Sequence, residues 1–273
     1  MSKEKFIDIE KLIESKNPRL LKLLPKFILR YLKNILHERE INEFLEAHGD
    51  KQNEEFCHEV MRYFNIEVEL HGVENIPKEG PVILAMNHPL GGMDGIAFIS
   101  AFSAYRTDIK FIVNDILLNL KNLSDLFVGV NKHGKNKVSV RKQINNAFSS
   151  EGVLCIFPAG LVSRKFKGEI RDLEWKKTFV TYARSKKRPV VPIYIDGKLS
   201  RFFYGLYRLR KFLRIKANIE MLYLSNEMFK QRNRTIHFYV GRPIDGSNFR
   251  PELNEYKAAQ EYKKEVYSIK SNL

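Results

Sequence analysis

The spacing of apolar residues changes near residue 65. Up to about residue 64 it is helical. In Arg19–Leu36, Leu20, Leu24, Phe27, Ile28, Tyr31 and Ile35 fall on one side and Lys22, Lys26, Arg30 and Lys33 on another. Asn17-Pro18 supplies an N-cap and first-turn pair. Pro25 predicts either two helices or one kinked helix. A further helix is expected over Asn53–Phe64. From Ile66 short apolar runs alternate with longer helical stretches. Strands are expected over Ile66–His71, Pro81–Met86, Ile109–Val113, Leu126–Val130, Gly152–Phe157, Pro189–Ile195 and Arg234–Gly241. Helices are expected from near Asp94, over Val138–Ser149, over Asp172–Lys186 with Trp175 and Phe179 on its apolar side, over Arg201–Lys216, and from Pro251 to the end. Pro189 and Pro192 point to an edge strand or a strand end.

This order predicts an α/β fold: a mixed, mostly parallel sheet flanked by helices, with an N-terminal helical extension. The linear division it suggests is a helical region over residues 1–64, an α/β domain over 65–250 and a C-terminal helix over 251–273.

Charge adds a partner class. Lys and Arg number 47 against 32 for Asp and Glu, a formal net charge of +15, which predicts an acidic partner: nucleic acid, an anionic membrane or an acidic protein. The two apolar-basic stretches carry most of this signal. One is the helix around Pro25; the other runs from Arg201 to Lys216, where Phe202, Leu206, Leu209 and Leu213 form a stripe flanked by Arg208, Arg210, Lys211 and Arg214. Each reads as a membrane-surface helix or as a core helix with a solvated basic face. No window is apolar and long enough for a transmembrane helix, and the first residues have no signal-like apolar core. The two cysteines, Cys57 and Cys155, are far apart, Cys155 within a buried run. No Cys/His ligand spacing appears, so neither a zinc site nor a disulfide framework is expected. His237 alternates within the last strand and reads as structural.

The stretch richest in chemistry is Asn87-His88-Pro89-Leu90-Gly91-Gly92-Met93-Asp94-Gly95, between the end of a strand and the start of a helix. Ligands of α/β sheets gather at such places. An imidazole takes a proton from an alcohol at neutral pH, and a carboxylate beside it fixes the tautomer and stabilises the imidazolium. Gly91 and Gly92 permit positive φ and close approach, and the N–H groups of the helix start suit an oxyanion. A plainer reading stands beside this one: Asp94 as a helix N-cap, His88 as an extended residue before Pro89. Two further turns carry positive charge: Asn131–Lys137, and Pro158-Ala159-Gly160-Leu161-Val162-Ser163-Arg164-Lys165.

The series strand, Asn87-His88 and Asp94, then strand-Phe157-Pro158-Ala159-Gly160, then Val191-Pro192-Ile193 resembles the PlsC-like glycerolipid acyltransferases over about residues 66–245. The resemblance implies that His88 is the general base on an acceptor hydroxyl and that Asp94 orients it. The acyl thioester of acyl-carrier protein or coenzyme A is then attacked directly, with no acyl-enzyme, cofactor or metal. It implies substrate contacts from Asn87, Gly91, Gly92, Lys132, Phe157, Pro158, Gly160, Ser163 and Arg164.

The chain departs from that family's pattern. Five residues separate His88 from Asp94 where four are usual, so the Gly91-Gly92 turn must absorb one. Ala159 stands where the family has glutamate, Leu161-Val162-Ser163 where it has Thr-Arg-Ser, and Lys132 where an arginine is usual. Arg164 or Lys165 is left to replace the lost phosphate clamp. These changes resemble a bacterial hemolysin-like subgroup that O-acylates amino-acid lipids, and that likeness continues through Glu220-Met221-Leu222-Tyr223-Leu224. The expected function is transfer of a fatty acyl group to a lyso-ornithine or N-acyl-glycine lipid. The expected place is the inner face of the cytoplasmic membrane, as a peripheral protein on an anionic surface, with no nucleic acid as partner. Alternatives are an acyltransferase making phosphatidic acid and a non-catalytic basic binding module. A serine hydrolase ranks low, because no Gly-x-Ser-x-Gly elbow is present.

Overall fold

A computed structural model describes residues 5–114, 117–118, 120–130 and 137–272, without the side chains of 130, 137–140, 271 and 272. The chain forms two compact units: Met1–Lys51 with Leu199–Arg232, and Gln52–Lys198 with Asn233–Leu273. This grouping differs from the linear division expected above. The helix Asn53–Phe64 belongs to the sheet-containing unit, and residues 199–232 belong with the N-terminal helices.

In chain order, the helical unit opens with α1 (Ile9–Lys16), α2 (Pro18–Leu23), α3 (Lys26–Ile35) and α4 (Glu38–His48). The sheet unit follows with α5 (Asn53–Phe64), β1 (Glu67–His71), β2 (Val82–Met86), α6 (Gly92–Phe102), β3 (Ile109–Asn114) and β4 (Phe127–Val130). It continues through α7 (Lys137–Phe148), β5 (Val153–Ile156), β6 (Arg164–Phe166), β7 (Glu169–Arg171), α8 (Thr178–Lys186) and β8 (Val190–Asp196). The chain then supplies α9 (Arg201–Phe212) and α10 (Leu224–Phe229) to the helical unit, and β9 (Thr235–Val240) and α11 (Glu255–Ser268) to the sheet unit.

The seven-stranded sheet has the order β1-β9-β8-β2-β5-β3-β4. Every pairing is parallel except β8 with β9. β2 is fully buried along its length, as a parallel strand covered on both faces must be. Its alternate residues Ile83 and Ala85 join a core with Trp175, Phe179, Phe249 and Tyr262. On α6, Phe98 packs its ring against Phe111 of β3 and Phe238 of β9.

All seven main strands fall where the apolar runs placed them; the corrections are local. β8 is an interior strand between β2 and β9, not an edge. Its Pro192 is tolerated because it lies level with Gly241, just beyond the end of β9. The Gly241 N–H donates to the Pro192 carbonyl (2.8 Å), and the N–H that proline lacks falls where the ladder stops. β6 and β7 form a two-residue hairpin that three-residue strands are too short to announce. Its turn, Lys167-Gly168, has φ of 46° and 93°. Residues 172–177 are not helical, and α8 begins only at Thr178.

One residue without a motif pins the sheet. Arg188 is buried, and its guanidinium donates to the carbonyls of Phe148 (3.0 Å), Ser150 (2.8 Å), Val82 (3.1 Å) and Gly152. It thereby joins the C-terminal carbonyls of α7 to the starts of β2 and β5. Burial lowers its pKa to about 10, which leaves it charged at neutral pH.

In the helical unit Pro25 separates α2 from α3 as two helices, and neither contributes a buried residue. α9 turns Phe203, Tyr204 and Tyr207 inward and leaves Phe202, Leu209 and Phe212 exposed. Arg210 reaches a buried Glu220, Nε to Oε2 2.8 Å, and donates to the Ile215 carbonyl (3.1 Å), closing the basic turn after α9. No helix among the described residues is long and apolar enough to cross a membrane.

Candidate active site

β2 and β5 lie side by side, and the loops beyond their carboxyl ends form the candidate site. On the first loop, Asp94 reaches His88 in spite of the longer spacing: Nδ1 to Oδ2 is 2.9 Å. The extra residue is absorbed at Gly91, whose φ of 72° and ψ of −136° are open only to glycine. Helix α6 therefore starts at Gly92 with Gly91 as its N-cap and no side-chain capping bond. Asp94 lies in the first turn, not at the cap. The same Oδ2 accepts from the Leu90 N–H (2.9 Å), so the carboxylate holds both the ring and the loop that carries it.

Asp94 is fully buried, and its other oxygen has no hydrogen-bond partner. Burial raises its pKa, opposed by the hydrogen bond and charge of His88. An ionised Asp94 keeps the His88 proton on Nδ1, which leaves Nε2 as the basic nitrogen.

On the second loop, Phe157 stacks on the His88 ring, centroids 4.1 Å apart at 20°. Gly160 turns the chain with φ of 64°, and the Ser163 N–H then donates to the His88 carbonyl (2.8 Å). Beside Phe157 opens a cleft of about 130 Å³, its apolar wall including Ile112, Val113, Ile144 and Ile156, with Pro158, Gly160 and Lys176 also lining it.

Beneath both loops lies a carboxylate that pattern reading missed. Asp172 is buried and accepts from the His88 N–H (3.2 Å), the Ser163 hydroxyl (2.5 Å) and the Trp175 indole N–H (2.8 Å). Its pKa is raised by burial, against the lowering effect of the Ser163 and Trp175 bonds. Helix α11 fixes this segment. Tyr267 accepts from the Asp172 N–H (2.7 Å), Lys263 donates to the carbonyls of Asp172 (2.5 Å) and Leu173 (2.9 Å), and the Gln260 amide accepts from the Trp175 N–H (3.2 Å) and donates to its carbonyl (2.7 Å). The helical expectation over Asp172–Lys186 concealed Asp172. Its one local signal is the apolar Trp175 three residues on.

The model family for acyltransferases matches residues 11–273. Two lyso-glycine lipid O-acyltransferases are similar along almost the whole length. One, from Bacteroides thetaiotaomicron, is 42% identical over 97% of this chain and 97% of its own. The other, from Phocaeicola vulgatus, is 40% identical over 97% of this chain and 95% of its own.

This chain is a member of the acyltransferase family.

Its fold is also that of a solved structure, the 1-acyl-sn-glycerophosphate acyltransferase PlsC from Thermotoga maritima. The TM-score is 0.50 at 16% identity, covering 90% of this chain and 98% of that one.

The expected site residues of this acyltransferase separate into two groups. His88, Gly91, Gly92, Asp94, Phe157, Pro158 and Gly160 line the two loops. Asn87, Ser163 and Arg164 are turned into the protein. The Asn87 amide bridges to β8, accepting from the Ile195 N–H (2.6 Å) and donating to its carbonyl (2.9 Å). Ser163 is spent on Asp172. Arg164 is only 1% exposed, its guanidinium donating to the Val162 carbonyl (2.5 Å). Lys165 is exposed on β6. Lys132 lies outside the described residues.

Proposed function

We propose that this acyltransferase moves a fatty acyl group from an acyl thioester to the hydroxyl of a lyso-amino-acid lipid of the glycine type, at an anionic membrane surface. The observation that carries the reading is the Asp94–His88 pair, with His88 stacked on Phe157 beside an apolar cleft. In the proposed step neutral His88 takes the hydroxyl proton on Nε2 as the acceptor oxygen attacks the thioester carbonyl. The C–O bond forms, the C–S bond breaks, and the imidazolium returns its proton to the leaving thiolate. The cleft would house acyl chain, and the uncapped first turn of α6 offers N–H groups for the developing oxyanion.

Two observations favour an amino-acid-lipid acceptor over a phosphate-bearing one. Ala159 supplies no polar group, and the Arg164 guanidinium is engaged inside the protein. The names of the two relatives at 42% and 40% identity agree with this reading.

Attachment would come from the helical unit. Among the described residues, twelve of the seventeen exposed large apolar side chains belong to it. They include Phe27, Tyr31, Phe202, Leu209 and Phe212, and Lys26, Arg30, Arg208, Lys211 and Arg214 lie on the same elements or just after them. The Tyr31 and Tyr223 hydroxyls are 2.7 Å apart, and Tyr223 meets Phe202 edge-on at 4.9 Å, so α3 and α9 share one aromatic surface. Apolar rings set among exposed cations suit the interface of an anionic bilayer, and the same cations would steer an acidic acyl-carrier protein.

The test is a transfer assay with acyl groups on acyl-carrier protein and on coenzyme A. Lyso-glycine lipid, lyso-ornithine lipid and lysophosphatidic acid are offered side by side. Label in the glycine lipid is expected. Label only in phosphatidic acid would overturn the acceptor assignment, and Lys165 or Lys132 would then be the phosphate contact.

A further inference from the structure

We infer that Glu69, His71 and His237 form a binding site for a zinc-type divalent cation on the sheet, separate from the His88 loop. β1 and β9 pair in parallel with Glu69 level with His237 and His71 level with Tyr239. Because strand side chains alternate, Glu69 and His71 of β1 and His237 of β9 project from one face. Three donor atoms converge there. His71 Nε2 is 3.4 Å from Glu69 Oε2, His237 Nδ1 is 3.2 Å from the same oxygen, and the two ring nitrogens are 3.2 Å apart.

These separations are those of a metal face. A tetrahedral zinc ion with bonds of about 2.0–2.1 Å keeps its ligand atoms about 3.3–3.4 Å apart. The point equidistant from the three donors is about 1.9 Å from each. An ion at bonding distance therefore sits slightly above their plane, with its fourth position turned outward. The side chains of His71, His237 and Glu69 are 42%, 34% and 51% exposed, so water can reach that position and ions can enter. Two imidazoles and one carboxylate suit zinc and its borderline neighbours; calcium and magnesium want oxygen donors throughout. Tyr239 stacks on His71, centroids 4.7 Å apart at 14°, and limits how its ring can turn, as supporting contacts do around metal-bound histidines. No sequence spacing announces the site, because 166 residues separate the two histidines. An ion there would fasten the edge strand β1 to β9 and close a long loop of chain.

The test is titration of the purified chain with zinc against a chromophoric chelator, and with cobalt for its ligand-field spectrum. One equivalent of zinc per chain is expected, with a tetrahedral cobalt spectrum and a melting temperature that rises with zinc. His71→Ala, His237→Ala and Glu69→Gln should each weaken binding by about tenfold or more, and the double histidine variant should abolish it. Circular dichroism confirms folding of the variants, whose side chains are all at least one-third exposed, and the zinc-dependent rise in melting temperature should vanish in them. Absence of a saturable equivalent would overturn the proposal and leave a hydrogen-bonded cluster. An equivalent that survives in the double variant would overturn it too, by placing the metal elsewhere.

Discussion

Helices α6 and α9 are nearly equal in length, 11 and 12 residues, and both are rich in large apolar side chains, yet they meet different surroundings. α6 buries Met93, Ala97, Phe98, Ile99 and Phe102 and thereby presents Asp94 to His88 from a rigid base. α9 buries one aromatic face and exposes another, with Phe212 82% exposed among cations. The sheet unit spends its apolar residues on holding a geometry. The helical unit keeps a large share at its surface, the kind of patch that marks an interaction surface. On the proposed reading, the sheet unit supplies precision and the helical unit adhesion, as an enzyme acting on a lipid from water requires.

His88→Ala should lower kcat by about 10²- to 10⁴-fold, with fold and vesicle binding unchanged, because the proposed mechanism loses only its general base. Purified, folded protein that keeps most of its activity would sink the catalytic assignment. Asp172→Ala should cost about tenfold to a hundredfold in kcat, since His88 and Ser163 lose their common anchor without losing the base. Near-normal kcat with a lowered melting temperature would make Asp172 a stabilising residue only. On the other unit, Leu209→Glu with Phe212→Glu should weaken partition to anionic vesicles by about tenfold or more, while turnover on detergent-dispersed acceptor persists. Equal losses in both assays would erase the division of labour. Lys211→Gln should weaken the same partition by about fivefold at low salt and by less at high salt, measured by vesicle sedimentation.

The smallest expected effect concerns pH and stability. Asp94 has a folded-state pKa raised above the unfolded value near 4. The folded state therefore holds its proton more tightly, and the stability this provides is lost as pH rises through the raised pKa. Asp94→Asn has no such dependence. Its melting temperature relative to wild type should rise from acid toward neutral pH, even as its turnover falls. A constant offset across that range would show that Asp94 does not titrate abnormally.

Much of this was legible in the residues. Runs such as Pro81–Met86 and Gly152–Phe157 marked β2 and β5, because a strand buried on both faces is apolar throughout. The His88-to-Asp94 loop was visible as chemistry on a glycine turn, and the Gly91-Gly92 pair as the place able to absorb the added residue; the fold narrowed it to Gly91. Asp172 was not legible. Its carboxylate lies in a stretch whose apolar spacing imitates the start of α8, and its importance comes from donors at positions 88, 163 and 175. Arg164 was misjudged for a related reason: charge at a turn suggests solvent, but the β6–β7 hairpin carries the guanidinium inward.

The His88–Asp94 bond itself follows from the fold; the α/β period, the buried strands, the basic-aromatic helices and the candidate base on its glycine turn follow from the sequence. These depend on neighbours within a few residues, where side-chain geometry is set by helix and strand repeat. Tertiary structure alone decided that β8 is interior, that Arg188 binds carbonyls from three segments, that Asp172 underlies the site, and that Glu69, His71 and His237 meet. Each of those rests on groups far apart in the chain, whose approach is governed by sheet order and register, and neither is written in any local run of residues.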